Sequence, residues 1–251
     1  MGDLYLVQMR FDMREVFRGQ AKPELDLGYL AHCYVTELFG DALLKPFALP
    51  LDRDGEARTL LAYSARSRDE LIATARERVT AERFEAFRWD ALGAKRMPAI
   101  ASGTRLGFEV RVCPVVRLAS ARDADFGGVR QVIKKGAERD VYQREWMEAD
   151  RRGEVFLKSR EDVYREWLVG KLAGAGRLEE ARLMGFTQRE RLFRQTQGEG
   201  RANHRVERPA ALFSGTLVVD EAEAFRGLLQ RGVGRHRAFG FGMLLLRPPT
   251  C

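Results

Sequence analysis

The sequence predicts an α+β protein built from two successive βαββαβ-like units, and three observations carry that reading. The chain has 251 residues, 45% apolar and 31% charged, which is enough apolar material for two cores of roughly 100 to 130 residues each and too much for a disordered chain. Short β-rich segments alternate with capped helical segments in the order β, α, β, β, α through the first hundred residues. The carboxyl end then reads β, α, glycine-rich loop, β. No sequence repeat is visible, so the duplication rests on element order alone.

The first strand is LYLVQMRF, Leu4 to Phe11, which is roughly alternating and rich in β-formers. A polar loop follows. DLGYLAHCYVTELFG then spaces Leu27, Leu30, Tyr34 and Leu38 at near-helical intervals, with Asp26 as cap and Gly40 as stop. FALPL and RTLLAYSA bracket the turn DRDGEA and read as a hairpin. SRDELIATARERV is a second helix, opened by Ser67 with Glu70 at the spacing of a capping box. From Val79 to Gly103 no periodic element stands out, and RMPAIASG reads as a loop. LGFEVRVCPVVRL is a strand broken at Pro114, and the domain boundary is placed just before it, giving units 1–104 and 105–251.

In the second unit ARDADFGG reads as turn-rich, and VRQVIKKGAERDVYQREWMEADRRGE as charged and mostly helical. SREDVYREWLVGKLAGAG is a clearer helix: Ser159 and Asp162 recreate the capping spacing, Val163, Trp167, Leu168 and Leu172 form its apolar face, and Gly174 with Gly176 ends it. FTQRERLFRQTQGEGRANHRVERPA is basic and polar, an exposed loop or a hairpin with a long connection. ALFSGTLVV, DEAEAFRGLLQRG and GFGMLLLRP close the chain as strand, helix and strand. Two tandem ferredoxin-like domains are the expected architecture.

Lys and Arg number 43 against 36 Asp and Glu, a formal charge of +7. That balance fits a polyanionic partner, yet a total is not a patch, and an arginine-rich composition also follows from a GC-rich genome. The three cysteines, Cys33, Cys113 and Cys251, form no CxxC pair, and no histidine stands at a zinc-ligand spacing. They are expected to be reduced, two in the core and one in the tail, and no metal or cofactor is expected. Trp146 and Trp167 are assigned to packing. No run approaches the roughly 20 apolar residues of a membrane span, and charge appears early in MGDLYLVQMRFDMREVF, so a cytoplasmic location is expected.

The most specific feature is GVGRHRAFGFG, Gly232 to Gly242, directly after a helix and before an apolar strand. It lacks the Gly-Lys-Ser/Thr of a P-loop and closes a helix instead of opening one. Gly232, Gly234, Gly240 and Gly242 can bring main chain close to a bulky ligand, and Arg235, His236 and Arg237 can hold phosphates; the same run can also be a plain turn with incidental arginines. On the first helix Tyr29 and His32 are neighbours at i and i+3, which serves either packing or shared chemistry.

This loop with its terminal strand resembles the glycine-rich signature of the repeat-associated RNA-binding superfamily, in detail the ending of CasE-type CRISPR endoribonucleases. The likeness extends upstream through ALFSGTLVVDEAEAFRGLLQRG, DVYREWLVGKL and LGFEVRVCPVVRL to Tyr29-Leu30-Ala31-His32, Leu38-Phe39 and Pro46-Phe47. Two departures stand out: residues 122–153 are longer and more charged than the family pattern, and His236 stands where small residues are usual. A divergent type IV relative is compatible with both.

The resemblance implies a metal-independent endoribonuclease that cuts CRISPR precursor RNA within the repeat hairpin. The ribose 2′-hydroxyl attacks the adjacent phosphorus, leaving a 2′,3′-cyclic phosphate and a 5′-hydroxyl. It implies His32 as acid–base group, Tyr29 as an orienting group and Arg237 as the stabiliser of phosphate charge. Arg235 and His236, with the four loop glycines, would position RNA. Arg201, Arg205 and Arg208 would grip the stem backbone, or equally form a solvated loop. The implied partners are repeat RNA and other subunits of an effector complex. Competing classes are a non-catalytic RNA-binding subunit on the same fold and a small-molecule-binding ferredoxin-like regulator.

Overall fold

The computed structural model describes residues 3–10, 27–41, 43–50, 59–126, 129–195 and 203–249. The first unit runs β1 (Tyr5–Arg10), α1 (Leu27–Phe39), β2 (Phe47–Ala48), β3 (Thr59–Ser64), α2 (Arg68–Arg78), α3 (Ala81–Glu85), a 3₁₀ turn at Trp89–Ala91 and β4 (Leu92–Arg96). Its sheet has the order β2-β3-β1-β4 with antiparallel pairing throughout. Alternation along β1 turns Val7 and Met9 inward, opposite Ala62 and Leu60 of β3. Leu38 and Phe39 of α1 and Leu71 and Ala75 of α2 close the core over that face. Ser67 caps α2 with the full capping box to Glu70, as its spacing predicts, and α1 ends where Gly40 donates to the Thr36 carbonyl at 2.9 Å. Asp26 and the turn DRDGEA lie outside the described residues.

The stretch 79–103, where no periodic element stands out in the sequence, holds α3 and β4, and residues 97–103 are loop as read. β4 completes the ferredoxin-like sheet by pairing with β1 from Tyr5↔Arg96 to Met9↔Leu92. Only Leu92 of LGAKR is buried, so this edge strand carries none of the alternation that a half-buried strand shows.

The second unit repeats the architecture. It runs β5 (Arg105–Val112), β6 (Val115–Arg117), β7 (Arg122–Phe126), β8 (Val129–Ile133), β9 (Glu138–Asp140), α4 (Val141–Arg151), α5 (Arg160–Leu172), β10 (Gly176–Gln195), β11 (Asn203–Val219), α6 (Ala222–Arg231), a 3₁₀ turn at Arg237–Phe239 and β12 (Leu244–Arg247). The sheet order β10-β11-β5-β12 matches that of the first unit, so the expected pair of tandem ferredoxin-like folds is met. Phe108, Val110, Phe213 and Leu217 face Tyr164, Leu168, Phe225 and Leu229 from α5 and α6.

Two readings in this half are corrected and one is met. Arg122–Phe126 and Val129–Ile133 pair antiparallel as β7 and β8, and Glu138–Asp140 pairs with β6, so among the described residues of that stretch only α4 is helical. The hairpin reading of the basic segment before ALFSGTLVV is met in its described residues, where β10 pairs with β11 from Gly176↔Val219 to Gln195↔Asn203 with three register shifts. Trp146 is 43% exposed, because α4 covers its neighbours with one narrow face, Val141 and Ala149.

The two units share a core boundary. Leu4 and Tyr63 of the first sit in the cluster of the second, and the Tyr63 hydroxyl donates to the Leu244 carbonyl at 2.9 Å. Cys113 is fully buried as expected, whereas Cys33 is exposed, a correction that follows from its place on the outer face of α1; Cys251 lies outside the described residues. Among the described residues no helix is long and apolar enough to cross a membrane.

Candidate active site

Helix α1 buries Leu30, Ala31, Tyr34, Val35, Leu38 and Phe39, which leaves Tyr29, His32, Cys33 and Thr36 on its other face. The Tyr29 side chain hydrogen-bonds that of Cys33. His32 Nδ1 lies 3.1 Å from Thr36 Oγ1, one turn on, so Nε2 is the nitrogen left for a substrate. Burial pushes the imidazole below its ordinary value of 6.5, Lys45 pushes it further down, and Asp41 opposes both. His32 is therefore mostly neutral at pH 7, the form that accepts a proton.

The glycine-rich loop comes to this helix from the other unit. A Cβ at Gly28 would stand 2.5 Å from the Phe239 carbonyl oxygen, so the amino end of α1 touches the main chain of the Arg237–Phe239 turn. The Phe239 ring lies 6.5 Å from the His32 ring and 6.1 Å from the His236 ring. Two loop glycines face the first unit as well: a Cβ at Gly232 would meet Pro46 Cγ at 2.7 Å, and one at Gly240 would meet the Phe47 ring at 3.5 Å. Gly234 lies against the Trp167 ring of α5.

The loop is closed on itself. Val233 donates to the Gly242 carbonyl at 2.8 Å, and Gly242 donates to the Arg111 carbonyl at 2.7 Å. Gly242 has φ of +81° and presses against the Val233 carbonyl, so a side chain there meets strained backbone and occupied space together.

The basic side chains divide into two groups. Arg235 Nε donates to Glu138 Oε1 at 2.6 Å, His236 Nε2 lies 2.8 Å from Glu138 Oε2, and Arg208 Nε donates to Glu138 Oε2 at 3.0 Å. Arg117 stands 3.8 Å from the same carboxylate. Burial alone would raise the Glu138 pKa, but His236, Arg235 and Arg208 together hold it down at about 2. His236 is itself pushed down by burial, against the upward pull of Glu138. Arg237 is exposed, with its guanidinium on the Arg231 carbonyl, and Arg205 is exposed on β11. Arg201 lies outside the described residues.

The structure thus brings Tyr29, His32 and the loop from Gly232 to Gly242 to one junction, while Arg208, on β11, reaches that junction at Glu138. Glu138 carried no sequence signal, since its partners stand 70 to 98 residues away and GAERD looks like a solvated charge run. The only local hint is its short strand, which places it opposite Arg117.

Fold and junction together define a tandem ferredoxin-like protein with a glycine-rich basic loop seated on a histidine-bearing helix. A family model described as CRISPR associated protein matches residues 4–248, and the chain belongs to that family. Among solved structures, the CRISPR endoribonuclease Cse3 bound to a 19-nucleotide RNA is 22% identical, with a TM-score of 0.60 over 98% of this chain and 100% of that one. Thermus thermophilus Cse3 bound to an RNA representing a pre-cleavage complex is 21% identical, with a TM-score of 0.58 over 98% and 100%. A chain of a CRISPR RNA-guided surveillance complex in a pre-nicking state is 15% identical, with a TM-score of 0.54 over 97% and 99%. At these identities the likeness is one of fold. No curated protein matches the sequence.

Proposed function

We propose that this protein is a CRISPR RNA endoribonuclease that cuts precursor RNA within the repeat hairpin and stays with its product as a subunit of an effector complex. The observation that carries the reading is the seat of the glycine-rich loop on α1, where the Phe239 carbonyl meets Gly28 and a neutral imidazole stands one turn along the same helix. Membership of the CRISPR-associated family, and a fold shared with RNA-bound Cse3 and with a surveillance-complex chain, support the substrate and partner class.

The chemistry needs no external nucleophile. His32 Nε2 accepts the proton of the ribose 2′-hydroxyl, the 2′-oxygen bonds to phosphorus, the bond from phosphorus to the 5′-oxygen breaks, and the departing 5′-oxygen takes that proton back from the His32 imidazolium. The products are a 2′,3′-cyclic phosphate and a 5′-hydroxyl. Tyr29 orients the reacting hydroxyl or phosphate, and the exposed Arg237 guanidinium offsets charge on the phosphorane. Each step uses groups of this chain and the RNA alone, so the reaction is proposed to run without a metal.

The test uses a hairpin from the CRISPR array of the same genome, in EDTA. Expected are a 2′,3′-cyclic phosphate product, no scission when the scissile ribose is 2′-deoxy, and a loss of about 100-fold or more in rate for His32→Ala. Tight binding without scission overturns the nuclease reading in favour of a non-catalytic RNA-binding subunit. Scission of the deoxy substrate overturns the intramolecular mechanism.

A further inference from the structure

We propose that Glu138 is the positioning residue of the glycine-rich loop: by gathering Arg235, His236 and Arg208 it sets the Arg237–Phe239 turn against α1 and so fixes where His32 stands relative to the RNA. The proposal rests on His32 being the acid–base group.

The Glu138 side chain is 9% exposed and lies on β9. Its carboxylate lies 2.8 Å from His236 Nε2. His236 has φ of +59° and ψ of +29°, a left-handed conformation that costs a residue with a side chain roughly 1 kcal/mol and persists only where surroundings hold it. The bond to Glu138 supplies that hold. From His236 the path continues through main chain: the Phe239 amide donates to the His236 carbonyl at 2.9 Å, and the Phe239 carbonyl rests on Gly28 of α1.

A lone glutamate would otherwise work against RNA binding, because its charge cancels one of the arginines beside it. Its place among four cationic-capable side chains is explained if geometry, and not net charge, is what it contributes. The two roles separate experimentally. Neutralising Glu138 raises the local positive charge, so affinity for RNA should hold or increase, while loss of the fixed loop should slow the chemical step.

The experiment compares wild type with Glu138→Gln and Glu138→Asp. It reads the single-turnover cleavage rate on the repeat hairpin, the Kd for the 2′-deoxy hairpin, and the imidazole NMR signals. The chain has 3 histidines, His32, His204 and His236, so each ring can be assigned by substitution. Expected for Glu138→Gln are cleavage slower by roughly 10- to 100-fold, as for a displacement near 1 Å, binding equal to or tighter than wild type, and displaced signals from both His236 and His32. Wild-type cleavage overturns the proposal, and so does a parallel loss of binding and cleavage, or a His32 signal that stays fixed while that of His236 moves. If Glu138→Gln fails to fold, Glu138→Asp, which keeps the charge on a side chain roughly 1.5 Å shorter, is read against the same outcomes. If wild type cleaves nothing, the acid–base reading falls, and the NMR arm still decides whether Glu138 governs the junction.

Discussion

Replacing Gly28 by alanine adds one methyl group at the point where the two units meet around the candidate site. The new Cβ would lie 2.5 Å from the Phe239 carbonyl oxygen and 2.8 Å from its carbon, where 3.4 Å is ordinary contact, so helix and turn must part by roughly 0.9 Å. Both sides of the contact are main chain, which leaves no rotamer change to absorb the displacement. In an ordinary helix the same substitution stabilises by up to about 1 kcal/mol, while overpacking costs about 1–3 kcal/mol, so the net change in stability is small. A displacement of this size at a reacting centre costs up to about 100-fold in rate. The expected result is a Tm within a few degrees of wild type, an unchanged Kd for the 2′-deoxy hairpin, and single-turnover cleavage slowed by roughly 10- to 100-fold. Cleavage at the wild-type rate would refute the claim that the loop and α1 must stay in this contact. A large fall in Tm would show instead that Gly28 serves the fold.

Two further outcomes follow from the charges. Because burial and Lys45 hold His32 below 6.5, cleavage that uses it as a base rises with pH through an inflection below that value and is level at neutrality; Lys45→Ala relieves the downward push and leaves Asp41 unpaired, so the inflection moves up, and a pH–rate profile that does not move removes His32 from the role. Asp140 is 5% exposed and accepts from Arg160 Nη1 at 2.8 Å and from the Tyr164 hydroxyl at 2.9 Å, so Asp140→Ala takes the shared acceptor from a buried phenol and a half-buried arginine and costs about 3 kcal/mol, roughly 10 °C in Tm by thermal unfolding, whereas a shift under about 2 °C would show that the pair relaxes to other partners.

What was legible in the sequence were features whose partners are close in the chain. The capping box of Ser67 and Glu70 and the cap of Ser159 on Asp162 each span three residues, and both helices begin where those residues place them. The amphipathic stripe of α1 was legible for the same reason. β4 was not, because an edge strand with one buried side chain takes its identity from β1, more than eighty residues earlier. The hairpin β7–β8 was hidden by a charged composition that suits an exposed strand as well as a helix. Glu138 was invisible because nothing in GAERD distinguishes a buried carboxylate from a solvated one; only the fold brings three donors to it.

The glycine-rich loop shows how far a local signal reaches. Four glycines in eleven positions announce that main chain must come close to something, and the sequence suggested that the something was RNA. In the fold, Gly232 makes room for Pro46, Gly242 for the Val233 carbonyl and Gly234 for the Trp167 ring, so these three positions are occupied by protein. Small residues here let a loop from the second unit lie flat on the first. That changes which groups are left for the nucleic acid. Arg235, His236 and Arg208 converge on Glu138, while Arg237, the first residue of the turn that touches α1, is exposed. If RNA is held at this junction, its phosphates meet a surface that the glycines shape from behind. A side chain added at Gly242 should then weaken catalysis through the loop's closure, without first weakening the grip on RNA.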